Sequence, residues 1–440
     1  MALGSQASNV ELMTALTGLT HDIFVGRVVN NVKRSSPTSQ LFQDAQPGEY
    51  RLEGQYMKFA VDLRFKTGMV ATDGKVPDYQ GLDAVQGRIQ PIRRYARLAI
   101  DNLVEKQAAG PGSFENLGDR IFEKLWDAWE QGEIRHSIGA SSGLVGVVES
   151  RTSSTIFVIK DAYGNVGSDP LTMLDVGSVI AWYDQTATAG IDGAGVISDI
   201  DESTRTITMA SATTWEPGDT LAAGDYIYFS SSSNISNANF IAERNLAPNG
   251  LGTIVDPAAA LSTVFNIAEA TYARWKPYRV ASVTLDHIEL TEHWLQLAAK
   301  RGFPVSPTTD EVIAFPSVVA QIARSLMGLQ QQAYTGGDLN GGYRAVRVSG
   351  IPITEDGHFY HNVLVTACKD KLFRINLGGD ADFWGEDGSM WSRIADYDGK
   401  DAYVVDYMNY MSNHRGAHGV LTGITTDVSD DQAFSPVPSY

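Results

Sequence analysis

The sequence predicts an α+β fold, because three of its stretches carry different periodicities. Residues 56–66, YMKFAVDLRFK, place an apolar side chain at every second position, as in a strand with one apolar and one charged face. Residues 110–139 begin with a Gly-Pro-Gly break and continue with an apolar stripe of helical spacing. Residues 144–231 consist of short β signals separated by Gly, Asp and Ser. We therefore expect a β-hairpin, a long helix and a small β-rich domain.

The composition is that of an acidic globular chain. Its 440 residues are 43% hydrophobic and carry a formal net charge of -18, and the 42 glycines favour much turn and β structure. So acidic a chain is not expected to be a dedicated nucleic-acid binder. Cys368 is the only cysteine, which excludes an intrachain disulfide. We find no signal peptide and no apolar run near the roughly 20 residues of a membrane span, and expect a soluble cytoplasmic product.

The N-terminal part of the chain predicts an arm followed by a basic hairpin. Residues 1–44 mix a weak helical pattern with polar breaks and indicate an extended arm with little core of its own. Residues 56–97 hold eight basic and four acidic residues, a net charge of +4. Two strands of about 18 residues would reach on the order of 60 Å. Because an isolated two-stranded ribbon is marginally stable in water, we expect the hairpin to lie on other protein.

The long helix is predicted to begin after the candidate cap Ser113 and to face the core. Its apolar stripe comprises Phe114, Leu117, Ile121, Phe122, Leu125, Trp126 and Trp129. Further along, one helix is predicted to start at Asp256-Pro257, a second to stop near Gly302, and a third to follow Pro316. Strands are predicted within 310–315, 343–356, 361–368, 370–377 and 401–412.

Motifs for catalysis and metal binding are weak. Residues 139–143, GASSG, match the nucleophile-elbow pattern around Ser141, but a helix precedes them and β signals follow, the reverse of the strand-to-helix setting that the motif requires. Two histidine pairs have usable spacings for a metal but lack an obvious third ligand. These pairs are His358 with His361 and His414 with His418. We expect no enzymatic activity, no metal and no cofactor.

The distribution of charge is more informative than these motifs. Residues 377–440 hold eleven acidic and three basic residues, and their net charge of -8 complements the +4 of the hairpin. Either both regions are solvated surfaces, or the hairpin of one subunit lies on the acidic region of a neighbour, with its apolar face against that neighbour.

The order of these parts resembles that of the major capsid proteins of tailed bacteriophages, which share the Hong Kong 97-type fold. The phrase VSGIPITEDG at 348–357, after the strand-helix unit AFPSVVAQI, is similar to axial-domain sequences of that family. The resemblance implies an N-terminal arm (1–44), an extended loop (45–105), a peripheral domain with the spine helix (106–143), an inserted β-rich domain (144–231), a peripheral and axial α region (232–301), an axial domain (302–358), and peripheral-domain strands with the C-terminus (359–440).

The resemblance implies a structural protein that self-assembles through hexamers and pentamers into an icosahedral head around double-stranded DNA. Its expected partners are copies of itself, scaffolding, portal and decoration proteins, and DNA held only by weak non-specific contact, in a virion assembled in the host cytoplasm without a membrane. An acidic chain suits this role, because packaged DNA must enter and leave the head, and many lysine–phosphate contacts would hold it there. The contacts expected with a neighbouring subunit come from the extended loop: Met57, Lys58, Phe59, Val61, Leu63, Arg64, Phe65, Lys66, Lys75 and Arg88.

Three other functions stay open from the sequence. An encapsulin-type compartment would use the same fold around a different cargo, although the inserted β segment and the length of 440 residues favour the phage protein. A soluble hydrolase would use Ser141 as its nucleophile. A carbohydrate-binding or tail protein would use the β-rich segment as its working part.

Overall fold

The structure, a computed structural model, contains four α-helices in the residues that it describes. These residues are 36–45, 51–53, 56–64, 83–101, 115–160, 174–184, 191–201, 204–214, 221–230, 242–281, 284–330, 346–377, 382–383, 392–393 and 399–424. The helices are α1 (Glu115–Ile138), α2 (Leu251–Val255), α3 (His287–Arg301) and α4 (Pro316–Gln330). No helix in these stretches is both long and apolar enough to cross a membrane.

The strands of the described residues form five sheets. In chain order they are β1 (Gln43–Asp44), β2 (Arg51–Glu53), β3 (Tyr56–Arg64), β4 (Asp83–Ile89), β5 (Ile92–Asp101), β6 (Leu144–Arg151), β7 (Ile156–Lys160), β8 (Val179–Tyr183), β9 (Gly193–Asp201), β10 (Thr206–Thr214), β11 (Tyr226–Ser230), β12 (Thr263–Val264), β13 (Ile267–Ala268), β14 (Tyr278–Ala281), β15 (Asp310–Ala314), β16 (Val346–Val348), β17 (Ile351–Glu355), β18 (Val363–Cys368), β19 (Leu372–Asn376), β20 (Asp382–Phe383), β21 (Ser392–Arg393), β22 (Gly399–Ser412) and β23 (Gly419–Thr422).

Local sequence sets the ends of helix α3. The Asp286 carboxylate accepts hydrogen bonds from the backbone N–H groups of Ile288 and Glu289, at 2.8 and 2.7 Å, and so caps the first turn. The helix ends at Gly302, whose φ of +84° is a left-handed conformation that glycine adopts without strain. This end lies where the sequence predicts it, and α4 begins at Pro316 as expected.

The central sheet is built on the long strand β22. Strand β5 pairs antiparallel with one edge of β22, while β19, β20 and β21 pair with the other edge. Strand β1 extends the sheet by pairing parallel with β19. One hydrophobic core then joins this sheet to α1, α2 and the hairpin strands β3 and β4, so the hairpin belongs to the folded body of the chain.

The lateral sheet has the strand order β14-β23-β18-β15-β17-β16 and packs against α3 and α4. Strands β14, β18 and β23 of this sheet lie outside the range 302–358 to which the resemblance assigns the axial domain. Strand β15 is buried along most of its length and needs a hydrogen-bonded neighbour on each side, which β17 and β18 supply.

Residues 36–44 belong to the core rather than to an extended arm. Leu41 and Phe42 are 1% and 8% exposed, and the hydroxyl groups of Ser36 and Thr38 donate hydrogen bonds to the buried carboxylate of Asp356. The prediction of an extended arm therefore does not hold for this stretch, because apolar burial and buried hydrogen bonds fix it to two different sheets. Residues 1–35 lie outside the described residues.

Strands β6 to β11, between Leu144 and Ser230, form a closed barrel of antiparallel pairs in the order β10-β7-β6-β11-β8-β9. The barrel occupies the range that the sequence predicts to be β-rich, and it has a hydrophobic core of its own that includes Phe157, Ile180, Trp182 and Ile207. Residues 144–231 hold twelve acidic and three basic residues, a net charge of -9. The barrel segment therefore carries half of the formal charge of the chain.

Arg135 fixes the barrel to the C-terminal end of α1. Its guanidinium group lies over the ring of Phe229, 4.1 Å from the centroid, and forms a 2.9 Å ion pair with Glu243. The backbone N–H of Glu243 donates to the carbonyl of Phe229 at 2.8 Å. These contacts join α1, the last barrel strand and the segment that follows it.

The helix predicted to start at Asp256-Pro257 is absent: Asp256 instead ends α2. Its φ of +43° is left-handed, and its carboxylate accepts hydrogen bonds from the N–H groups of Ala260 and Leu261. The following residues turn into the short hairpin β12–β13, with Phe265 and Asn266 at positive φ. The apolar residues whose spacing indicated a helix belong instead to this hairpin, in which Phe265 and Ile267 reach the core.

We predict that Glu243→Gln removes an acid-sensitive contribution to stability. Burial alone would raise the pKa of Glu243, but Arg135 and the nearby His136, whose Nε2 lies 3.8 Å from the carboxylate, lower it to about 2. A lowered pKa stabilises the fold above the unfolded value of 4.5, and this contribution is lost as the pH falls from 4.5 towards 2. The expected loss for the variant at pH 7 is about 3 kcal/mol, measured by urea unfolding of the isolated subunit.

In the control, Glu292→Gln changes an exposed carboxylate of α3 and should change the free energy of unfolding by less than about 0.5 kcal/mol. If Glu243→Gln and the natural chain lost stability in parallel between pH 6 and pH 3, the ion pair would have no such role.

Candidate assembly surface

The apolar face of β3 is buried within its own chain. Met57, Phe59 and Val61 are 0%, 4% and 6% exposed and belong to the core that also contains Phe265. The rings of Phe59 and Phe265 meet edge to face with 5.9 Å between centroids. The prediction that Met57, Phe59 and Val61 contact a neighbouring subunit is therefore wrong, because the alternation that suggested a free apolar face is satisfied by this core.

The fit of this hairpin is close. A Cβ atom added to Gly87 on β4 would come within 2.2 Å of the Phe59 ring, so only glycine leaves room for the ring at that position. The backbone N–H of Arg88 donates to the carbonyl of Phe265 at 3.0 Å, which ties β4 to the β12–β13 turn. The hairpin is thus held by backbone hydrogen bonding as well as by apolar burial.

The outer face of the hairpin is polar and basic. Tyr56 is 43% exposed, Arg88 is exposed and Lys58 is partly buried. In the register of the ladder Lys58 lies opposite Arg88. Leu63 and Arg64 lie on β3, and Phe65, Lys66 and Lys75 lie outside the described residues. Of the predicted contact residues whose side chains are described, Lys58 and Arg88 therefore remain candidates for contact with a neighbour.

The predicted hairpin of residues 56–97 divides into two sheets. Strand β4 pairs with β3 and ends at Ile89, and β5 then leaves the hairpin to pair with β22 along its whole length. The expectation of two continuous hairpin strands of about 18 residues is therefore wrong. The reason is that the strands on either side of Pro91 belong to different sheets: β4 pairs with β3, and β5 pairs with β22.

This division also determines which acidic residues pair with the arginines of β5. Arg97 forms a 2.9 Å ion pair with Asp401 of β22, and Arg94 forms a 2.5 Å ion pair with Glu133 of α1. Part of the charge complementarity between the hairpin region and the C-terminal region is therefore satisfied inside one chain. The sequence pattern did not distinguish this intrachain pairing from a contact between subunits.

A buried network holds β5, α1, β19 and β22 together. Besides Arg94, Glu133 accepts a hydrogen bond from the hydroxyl of Tyr410, and Arg374 forms a 3.2 Å ion pair with Asp406. The guanidinium of Arg94 lies over the ring of Trp129 at 3.9 Å and donates to the Trp129 carbonyl. Four secondary-structure elements thus converge on the carboxylate of Glu133.

The pKa shifts in this network follow from burial opposed by charge. Burial alone would raise the pKa of Glu133, but Arg374 and Arg94 hold it below its usual value. Burial raises the pKa of Asp406, and Arg374 opposes that shift only in part. Burial beside the Glu133 carboxylate raises the pKa of Tyr410, which keeps its hydroxyl a donor. The network therefore carries fixed charges with a structural role.

A second buried network centres on Arg415, which is 0% exposed. It forms a 2.7 Å ion pair with Glu269 and donates to the Ile254 carbonyl at 2.7 Å. Arg279 binds Glu269 and Asp256, each at 3.0 Å. Burial lowers the pKa of Arg415 to about 10, and Glu269 opposes this shift. Sequence reasoning missed this network, because its members are far apart in the chain and nothing in their local sequence distinguishes them from surface charges.

Residues of the motifs considered for chemistry make contacts within the fold. The backbone N–H of Ser141 donates to the Thr253 hydroxyl at 2.6 Å, in a turn that leads from α1 into β6. His361 stacks on Phe315 with 3.7 Å between centroids, and His418 is hydrogen-bonded to Ser412. Among the described residues no group of three His, Cys, Asp or Glu side chains could hold a metal ion.

Comparison with known proteins identifies the fold. No family model and no curated protein matches the chain. Among solved structures, a chain of the capsid of cyanophage A-1(L) has a TM-score of 0.50 and 11% identity, over 89% of this chain and 93% of that chain. The chain therefore has a mixed helix-and-sheet fold of the kind found in phage capsid proteins, and the resemblance to that class is confirmed at the level of the fold.

Two weaker similarities have TM-scores below one half. A chain of the procapsid of satellite phage P4 has a TM-score of 0.38 and 9% identity, over 96% of this chain and 94% of that chain. The SrpI encapsulin complex of Synechococcus elongatus PCC 7942 gives 0.41 and 8% identity, over 96% and 95%.

We predict that Phe59→Ala destabilises the isolated subunit by about 3–5 kcal/mol, because it removes a buried ring and leaves a cavity. Gln86→Ala, on the exposed face of β4, is the matched control and should stay within about 0.5 kcal/mol. The measurement is the free energy of unfolding in urea. A Phe59→Ala subunit as stable as the natural chain but unable to associate would restore the original interpretation of a face reserved for a neighbour.

Proposed function

We propose that this chain is the major capsid protein of a tailed bacteriophage, with a Hong Kong 97-type fold, and that it assembles through hexamers and pentamers into an icosahedral shell around double-stranded DNA. The observation that carries the proposal is the fold similarity to the cyanophage A-1(L) capsid chain, which spans 89% of this chain and 93% of the other. A similarity of that extent concerns the whole architecture and not a single shared domain.

The buried charges support a structural role. Glu133, Glu269 and Arg415 hold secondary-structure elements together inside the core. Ser141 follows a helix and precedes a strand, so it lacks the strand-to-helix turn on which a hydrolase nucleophile depends. The proposal therefore assigns no catalytic residue.

The acidity of the chain supports weak contact with DNA. The barrel segment has a net charge of -9, and a polyanion would be repelled from it. In the proposed head, the barrel is an insertion that contributes to the shell or its surface and leaves the packaged DNA free to exit. Scaffolding, portal and decoration proteins are the further proposed partners.

The proposal is tested by expressing the chain alone and with the neighbouring genes of its source genome, and imaging the high-mass fraction by negative-stain microscopy. Closed shells are expected, with nuclease-protected DNA in native particles. Shells that contain only a protein cargo would point to an encapsulin-type compartment. Small oligomers under every condition would contradict the capsid function.

We predict that Arg88→Glu impairs shell assembly and leaves the subunit folded. Arg88 is exposed on the basic outer face of the hairpin, which we propose contacts a neighbouring subunit. The control is Arg347→Glu, an exposed arginine on β16. Assembly is measured by sedimentation, and thermal unfolding checks the fold. Shells of normal yield from Arg88→Glu would remove this residue from the contact.

A further inference from the structure

The outer face of β5 and β22 carries tyrosine and arginine side chains around the buried Val405. On β5, Arg93 and Tyr95 are exposed, Tyr95 by 48%, and the Arg97 side chain is exposed by 47%. In the ladder these residues lie opposite Tyr407, Val405 and Tyr403 of β22. Tyrosine and arginine are the residues most enriched at the centres of protein interfaces. We call this surface the Tyr–Arg face.

The opposite side of the same strands is already covered. Arg94 points to Trp129 and Glu133 of α1, so β5 is packed on one face and exposed on the other. The exposed side is therefore a sheet face that the described residues leave open to a partner.

Helix α3 carries exposed apolar side chains with an acidic residue between them, whereas the Tyr–Arg face carries arginines. Ile288 and Leu295 are 56% and 66% exposed and lie seven positions apart, which places them on one face two turns apart with the exposed Glu292 between them. The core side of the helix uses Leu290, Trp294 and Leu297 instead. We call the exposed set the α3 stripe.

The electrostatic surroundings of the α3 stripe are negative. Burial, together with the neighbouring carboxylates of Asp286 and Glu292, raises the pKa of Glu289. A cation brought next to this turn by a partner would relieve that repulsion. The Tyr–Arg face carries such a cation at Arg93, while Arg97 is already paired with Asp401.

Pairing of either surface with itself is disfavoured. Two copies of the α3 stripe would bring Glu292 against carboxylates, and two copies of the Tyr–Arg face would bring arginines together. The helix also fits within the length of the strand, because a 15-residue helix is about 22 Å long and a 10-residue strand spans about 33 Å. Charge and shape therefore favour contact between unlike surfaces.

We propose that the α3 stripe of one copy docks on the Tyr–Arg face of a second copy, with Ile288 and Leu295 against Tyr95 and with Glu292 beside Arg93. The inference rests on the proposed shell function, which supplies the second copy. Because the two surfaces differ, the contact is heterologous, and repetition around an axis closes a ring.

Cross-linking tests the contact directly. The natural cysteine, Cys368, is buried, so a variant with Tyr95→Cys and Leu295→Cys carries one new thiol on each surface. After oxidation of assembled particles with diamide, this variant should give a ladder of disulfide-linked multimers on a non-reducing gel. Neither single variant should form a ladder. Dimers from Leu295→Cys alone would show that α3 contacts itself and would overturn the proposal.

A charge exchange gives a second, independent measurement. Arg93→Glu and Glu292→Arg should each lower the yield of shells at least tenfold, and the double variant should recover most of it. Asp199→Arg, an exposed barrel residue, is the matched control and should assemble normally. Thermal unfolding of each subunit checks the fold.

The outcomes separate the two proposals. If the natural chain forms no shells, the capsid function fails and this contact fails with it. If the natural chain forms shells while the cysteine pair gives no ladder and both charge reversals assemble normally, the capsid function stands and the contact between α3 and the Tyr–Arg face is wrong.

Discussion

The main body depends on the pairing of β5 with β22. This pairing brings Arg94 to the buried carboxylate of Glu133 and Arg97 to Asp401, so that α1 is held against the central sheet by charge as well as by apolar packing. A buried carboxylate is tolerated only where cations and hydrogen-bond donors reach it. Glu133 obtains them from three different strands, and therefore the position of α1 depends on the register of the whole sheet.

The hairpin is also packed within its own chain, and this limits the surfaces that it leaves for assembly. Its apolar face closes the core of its own chain around Phe265, so Met57, Phe59 and Val61 are buried before a subunit meets another. The surfaces that we propose for contact with neighbours are the basic outer face with Arg88, the Tyr–Arg face of β5 and the α3 stripe. Interfaces of this kind rely on a few aromatic and arginine anchors and on matching charge, which suits subunits that fold first and associate afterwards.

Much of the negative charge of the chain lies in the barrel segment. The barrel segment holds half of it on a module with its own hydrophobic core, fixed to α1 through Arg135, Phe229 and Glu243. The chain therefore separates a strongly acidic appendage from a body whose exposed anchors include arginines. In the proposed shell, this separation would allow subunits to attract one another while the acidic module repels DNA.

The sequence by itself determined the elements whose signals are local. The capped helix α3, strand β15 with the helix after Pro316, and the β-rich range 144–231 follow from side-chain periodicity, caps and turn residues, which act within a few residues of each other. Only the tertiary structure decided which strand meets which. The alternation of Met57, Phe59 and Val61 specifies one buried face but not its partner, and the positive charges near Arg94 specify attraction but not its target. Both depend on contacts between residues hundreds of positions apart, for which the local pattern carries no information.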